Sequence, residues 1–128
     1  MNEYEKQAQD FLESTGTELS IDYVDFKPYF PGDKESRAVF EFTLKRGEKE
    51  YIGTFGQSIA NYGKTPSTYD ILSCLDYWEG DFYDFCREYG YSDESISALS
   101  IYDAVIYQTI GLQELFTFEE LEKLGGIA

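Results

Sequence analysis

The chain has 128 residues and a formal net charge of −15, from 25 Asp and Glu against 10 Lys and Arg. Such a charge repels nucleic acid and anionic membrane surfaces, and no apolar run approaches the length of a membrane span, so neither is expected as a direct partner. The length suits one domain with a single modest core, and 42% hydrophobic with 18% aromatic residues is too apolar for a disordered chain.

The segment Met1 to Lys6 lacks the basic and apolar regions of a signal peptide. A cytoplasmic location, with Cys74 and Cys86 as buried, reduced thiols, is the resulting expectation. Glu3 to Ser14 is predicted as a helix, because Tyr4, Ala8, Phe11 and Leu12 recur at helical spacing and Gly16 can end it. Leu19 to Phe26 alternates in part, with Leu19, Ile21 and Tyr23 on one face, and reads as a strand. Lys27 to Asp33, with two prolines and a glycine, reads as a loop. Ala38 to Arg46 is the clearest strand: Phe40, Phe42 and Leu44 point one way and Glu41, Thr43 and Lys45 the other. Arg46-Gly47-Glu48-Lys49 is a hairpin turn, and Glu50 to Phe55 returns as the partner strand. Such a meander buries one face and needs helices to cover it.

From Thr65 the period becomes helical. Thr65-Pro66 is a start signal, followed by an apolar stripe of Ile71, Leu72 and Leu75. Beyond Gly80 a short helix carries Phe82, Phe85 and Cys86 and ends near Tyr89-Gly90. Ser92-Asp93 is a cap for a longer helix with Leu99, Tyr102, Val105, Ile106 and Ile110, which Leu112 and Leu115 continue past Gly111. Thr117-Phe118-Glu119-Glu120 is a capping box opening a last helix that Gly125-Gly126 stops. The expected fold is α+β: an N-terminal helix, a three-stranded antiparallel meander and about four C-terminal helices packed on one face. The opening order resembles the double-stranded-RNA-binding topology. That module needs a basic helix start, and Pro66-Ser67-Thr68-Tyr69-Asp70 carries no positive charge.

The chain contains no histidine, which removes the commonest general base, the histidine-dependent nucleophile systems and most zinc sites. No Walker or dinucleotide-type glycine motif occurs. Gly53 to Ser58 is a small-residue stretch that reads as a strand end with a tight exit turn. Arg87 beside Cys86 does not activate the thiol, since successive helix positions point apart. No catalytic residue, metal or cofactor is expected. Asp76, Glu79, Asp81, Asp84 and Glu88 form the densest carboxylate group; their spacing does not fit an EF-hand loop, and they read as a solvated acidic face.

The acidic residues are unevenly spread: residues 65–128 hold 13 acidic and two basic side chains, Arg87 and Lys123. Between Asp76 and Phe85 carboxylates alternate with aromatic rings, and Glu88, Asp93 and Glu94 follow. Carboxylates spaced along a rigid surface present charge much as phosphates do, so a basic nucleic-acid groove on a protein partner is a suitable target. The candidate contact residues are Asp76, Trp78, Glu79, Asp81, Asp84, Glu88, Asp93 and Glu94. The alternative is an assembly module or homodimer whose charge only maintains solubility.

Several segments, Pro66 to Leu75, Asp84 to Asp93 and Tyr102-Asp103-Ala104-Val105, together with Phe30 to Lys34, Leu44 to Gly47 and Phe55 to Ser58, resemble a family of short, acidic, uncharacterised proteins of bacteriophages and prophages. The resemblance transfers no catalytic or binding residue. It implies a bacterial host cytoplasm as the place of action. It also implies a non-enzymatic accessory role, of the kind played by small acidic inhibitors of CRISPR effectors and restriction enzymes.

Overall fold

A computed structural model describes residues 2–29, 33–57, 64–75 and 77–127. The elements are α1 (Glu3–Thr15), β1 (Glu18–Pro28), β2 (Ser36–Arg46), β3 (Lys49–Gln57), α2 (Thr68–Ser73), α3 (Phe82–Tyr89), α4 (Ile96–Leu115) and α5 (Phe118–Gly125). The strands form an antiparallel meander in the order β1-β2-β3, and the whole is the α+β arrangement that the residue pattern implies.

Phe42 and Leu44 of β2 are fully buried, and around them gather Phe11 and Leu12 of α1, Tyr51 of β3, Ile71 and Leu72 of α2, Leu112 and Leu115 of α4, and Leu121 and Leu124 of α5. The alternation of β2 aims its even-numbered side chains at this core and leaves Glu41 and Lys45 exposed on the other face. Strand β1 departs from simple alternation. Tyr23 pairs with Phe40 and Asp25 with Val39, so Val24 is an extra residue without a pairing partner. This bulge reverses the parity of the strand. Leu19, Ile21 and Tyr23 share the helix side below it, and Phe26, opposite Ala38, takes that side above it. Regular pairing continues through Pro28, two residues into the expected loop; an edge strand tolerates proline because its outer N–H has no ladder to join.

Local chemistry sets the helix ends. Gly16 and Gly90 adopt left-handed backbone angles, φ +64° and +75°, and close α1 and α3. Thr117 and Glu120 form the capping box of α5. Two starts differ from the sequence expectation. Helix α2 is capped by Ser67, whose side chain accepts from the Asp70 amide at 3.1 Å while Asp70 accepts from the Ser67 amide at 2.9 Å; Pro66 lies outside the helix. Helix α4 is capped by Ser95 and not by Ser92-Asp93, because Ser92 is used in a turn: its carbonyl accepts from the Ser95 amide at 3.1 Å. Gly111 does not end α4, since Leu112 and Leu115 beyond it are buried in the core. Cys86 is buried, but Cys74 is exposed, contrary to expectation: it caps the C-terminus of α2 between the buried Leu72 and Leu75 and is itself turned from the core. Among the described residues no helix is long and apolar enough to cross a membrane.

Candidate interaction surface

Helix α3 and the segment ahead of it rest on α4 through a second, aromatic cluster. Phe85 is its centre, with ring centroids 4.9 Å from Tyr89, 5.4 Å from Tyr102 and 5.7 Å from Trp78. The Trp78 amide donates to Thr109 Oγ1 of α4 at 2.8 Å, and its indole N–H donates to the Asp81 carbonyl at 3.3 Å. Gly80 permits this closure, because a Cβ there would stand 2.9 Å from the indole nitrogen. Trp78 is thus a half-buried part of the internal cluster, with both of its N–H groups engaged within the chain.

The carboxylates singled out by the sequence decorate the outside of this cluster. Glu79, Asp81, Asp84, Glu88, Asp93 and Glu94 are all exposed; Asp76 lies outside the described residues. Two of them have structural employment. Asp81 is the N-cap of α3 and accepts from the Asp84 amide at 2.8 Å, placing its charge at the positive end of that helix. Asp84 pairs with Arg87 one turn on, which reduces its share of the local field. Tyr83, Tyr89 and Tyr91 are exposed among these charges. Among the described residues no three carboxylate or thiol groups converge in a way that could hold a metal ion. Burial pushes the Cys86 thiol up, and nearby Asp93 adds to the effect, so Arg87 does not make a reactive thiolate there.

The N-terminus of α2, the place where an RNA-binding module of this topology would grip phosphate, is occupied by the chain's own carboxylates. Glu5 of α1 accepts from the Thr68 and Tyr69 amides at 3.2 and 2.9 Å, and Asp70 completes the capping box. Burial pushes the Glu5 carboxyl up, but these amides and the Gln9 side chain outweigh it and hold it below its ordinary value. The stretch Gly53 to Gln57 is regular β3, and Ser58 lies outside the described residues.

Two features have no simple signal in the sequence. A cleft of about 580 Å³ runs between β3 and α4, lined among others by Tyr29, Glu41, Tyr51, Thr54, Tyr107 and Gln108. Tyr29 reaches it from the end of β1, with its hydroxyl donating to the Thr54 carbonyl at 2.9 Å. The second is a row of exposed apolar residues on the outer side of α4, including Ile96, Leu99, Tyr107 and Ile110. The helix is apolar nearly all round, so its periodicity does not show which side is buried.

Compared with known proteins, the chain matches no family model, no curated protein and no solved structure.

Proposed function

We propose that the chain is a non-enzymatic interaction module that binds a basic protein surface, in the manner of a polyanion, through α3 and the turns on either side of it. The observation that carries this reading is that every described carboxylate between Glu79 and Glu94 is exposed, with Arg87 the sole cation among them. A one-signed surface of this kind steers a basic partner into contact, and the encounter weakens steeply with salt. The exposed rings of Tyr83, Tyr89 and Tyr91 provide amphipathic contact area within the charged field. That Glu5 and Asp70 take up the amides at the start of α2 supports a protein partner over phosphate at that end of the molecule. Following the resemblance to phage and prophage proteins, the partner is a host nucleic-acid-handling protein such as a CRISPR effector or restriction enzyme, whose basic groove the acidic face occupies in the bacterial cytoplasm.

The test is affinity capture from host lysate with the tagged protein, washed at low and high salt, beside a variant carrying Glu79→Gln, Glu88→Gln, Asp93→Asn and Glu94→Gln. The expected outcome is a nucleic-acid-binding protein held at low salt and released at high salt, with the variant holding it less tightly and with a shallower salt dependence. A partner held equally at both salts, by parent and variant alike, would reduce the charge to a solubility device.

A further inference from the structure

Helix α4 buries Ala98, Thr109, Leu112 and Leu115 and leaves another apolar row uncovered. Ile96 is 83% exposed, Leu99 45%, Tyr107 67% and Ile110 55%. Positions 96, 99, 103, 106 and 110 alternate steps of three and four, the spacing of the a and d positions in a coiled-coil seam. Ile96, Leu99 and Ile110 fill that seam together with the half-buried Ile106, and Asp103 stands at its midpoint. From Ile96 to Ile110 the seam is roughly 21 Å long at the helical rise. An apolar row of this length, broken only by Asp103, marks a contact site on a charged protein.

We infer that this seam docks an amphipathic α-helix of a basic protein, apolar along its own seam and presenting Lys or Arg to Asp103. The inference deepens the reading above and rests on it: the acidic face gives the partner's charge, and the seam gives the element it contributes. Charge selects the occupant. Helix α4 carries no basic residue, its carboxylates are Asp103 and Glu114, and Asp93 and Glu94 stand exposed just ahead of its cap. A second copy therefore offers Asp103 no cation. The parallel in-register pairing sets Asp103 against itself, and the antiparallel pairing encloses it among apolar side chains. Either also brings together two chains of charge −15. A basic helix supplies the missing counter-charge at the midpoint and along the rim, while burial of the apolar residues provides most of the affinity.

The test uses the full-length protein and two synthetic helical peptides of about three heptads. One has Ile and Leu at a and d, Lys at the a position facing Asp103 and Lys at e and g; its twin has Glu in place of every Lys. In calorimetric titration the Lys peptide is expected to bind in the micromolar range and the Glu twin at least about tenfold more weakly. Leu99→Ser with Ile110→Ser is expected to weaken the Lys peptide by about tenfold or more, with the thermal transition of the parent retained because both side chains face solvent. Asp103→Lys is expected to reverse the preference between the twins.

The inference is overturned if the Lys peptide does not bind, if the twins bind alike, or if the Ser variant binds as the parent does. A reversible dimer in sedimentation that the Ser variant loses would also overturn it, assigning the seam to a second copy. The two readings fail separately. A captured basic partner that the Ser variant keeps and the charge-lowered α3 variant loses leaves the acidic face standing without the seam. A Lys peptide that binds although neither protein captures a salt-sensitive partner leaves the seam standing without the acidic face.

Discussion

Arg46 and Glu120, 74 residues apart in sequence, meet in a bidentate ion pair, with Nη1 to Oε1 at 2.7 Å and Nη2 to Oε2 at 3.0 Å. Arg46 Nη1 also donates to the Leu115 carbonyl at 2.8 Å, and the guanidinium lies 5.9 Å from the centre of the Phe116 ring. Glu120 in turn accepts from the Thr117 amide at 2.8 Å. The last residue of β2 is thereby tied to the corner between α4 and α5, where the last α4 carbonyls lack helical partners.

The Arg46 guanidinium, helped by the Thr117 amide, holds the Glu120 carboxyl below its ordinary value of 4.5. A carboxyl depressed in the folded state contributes stability above its unfolded pKa and loses it as pH falls through the folded one. The protein should therefore lose stability below about pH 4.5, with Glu5 contributing in the same sense. At neutral pH, Glu120→Gln should cost on the order of 1 kcal/mol, the pair being partly open to solvent. Urea titrations at neutral and acid pH check this: the gap between parent and variant should narrow in acid, and a gap independent of pH would remove Glu120 from the account.

A Cβ at Gly111 would collide with the Tyr51 ring. That ring is buried, with Phe42 and Tyr107 each 6.1 Å away between centroids, so it has little room to retreat. Alanine gains about 1 kcal/mol over glycine in helix propensity, while overpacking costs about 1–3 kcal/mol. Gly111→Ala is expected to lower the melting temperature by several degrees. Gly125→Ala, where the added methyl meets open space, should leave it level or raise it slightly. Calorimetric melting of the two variants decides the matter, and a stabilised Gly111→Ala would mean that α4 and β3 pack more loosely than described.

The two thiols should differ in reactivity. Cys74 is exposed, whereas Cys86 is buried and its thiol pushed up. A disulfide reagent at neutral pH is expected to modify one thiol promptly and the second only on unfolding, and in Cys74→Ala the native protein should stay nearly silent. Equal rates in the parent would show that α3 opens readily from α4.

The parts of this fold legible in the sequence are those set by neighbours along the chain. The caps at Gly16, Gly90 and Thr117 are local chemistry, and the alternation of Phe40, Phe42 and Leu44 reads directly as a buried strand face. Contacts that depend on which element lands where are not legible. Nothing near Arg46 announces Glu120, and nothing in Tyr29 announces the Thr54 carbonyl. The candidate surface divides in the same way. The exposure of Glu79, Glu88, Asp93 and Glu94 follows from their polarity. The internal role of Trp78 depends on Phe85 and Thr109. The bare side of α4 depends on which apolar residues the rest of the fold happens to cover.

The extra residue at Val24 makes the effect of shortening β1 depend on where the residue is lost, in a way that no substitution reproduces. Excising it would set Tyr23, Asp25 and Phe26 in direct succession against Phe40, Val39 and Ala38, a regular ladder in which each side chain keeps the side it already takes. The strand is therefore two half-strands of opposite phase joined at one point. A deletion of Val24 is expected to cost less stability in urea titration than a deletion of Ser20, which would turn Ile21 outward and Asp22 toward the helices.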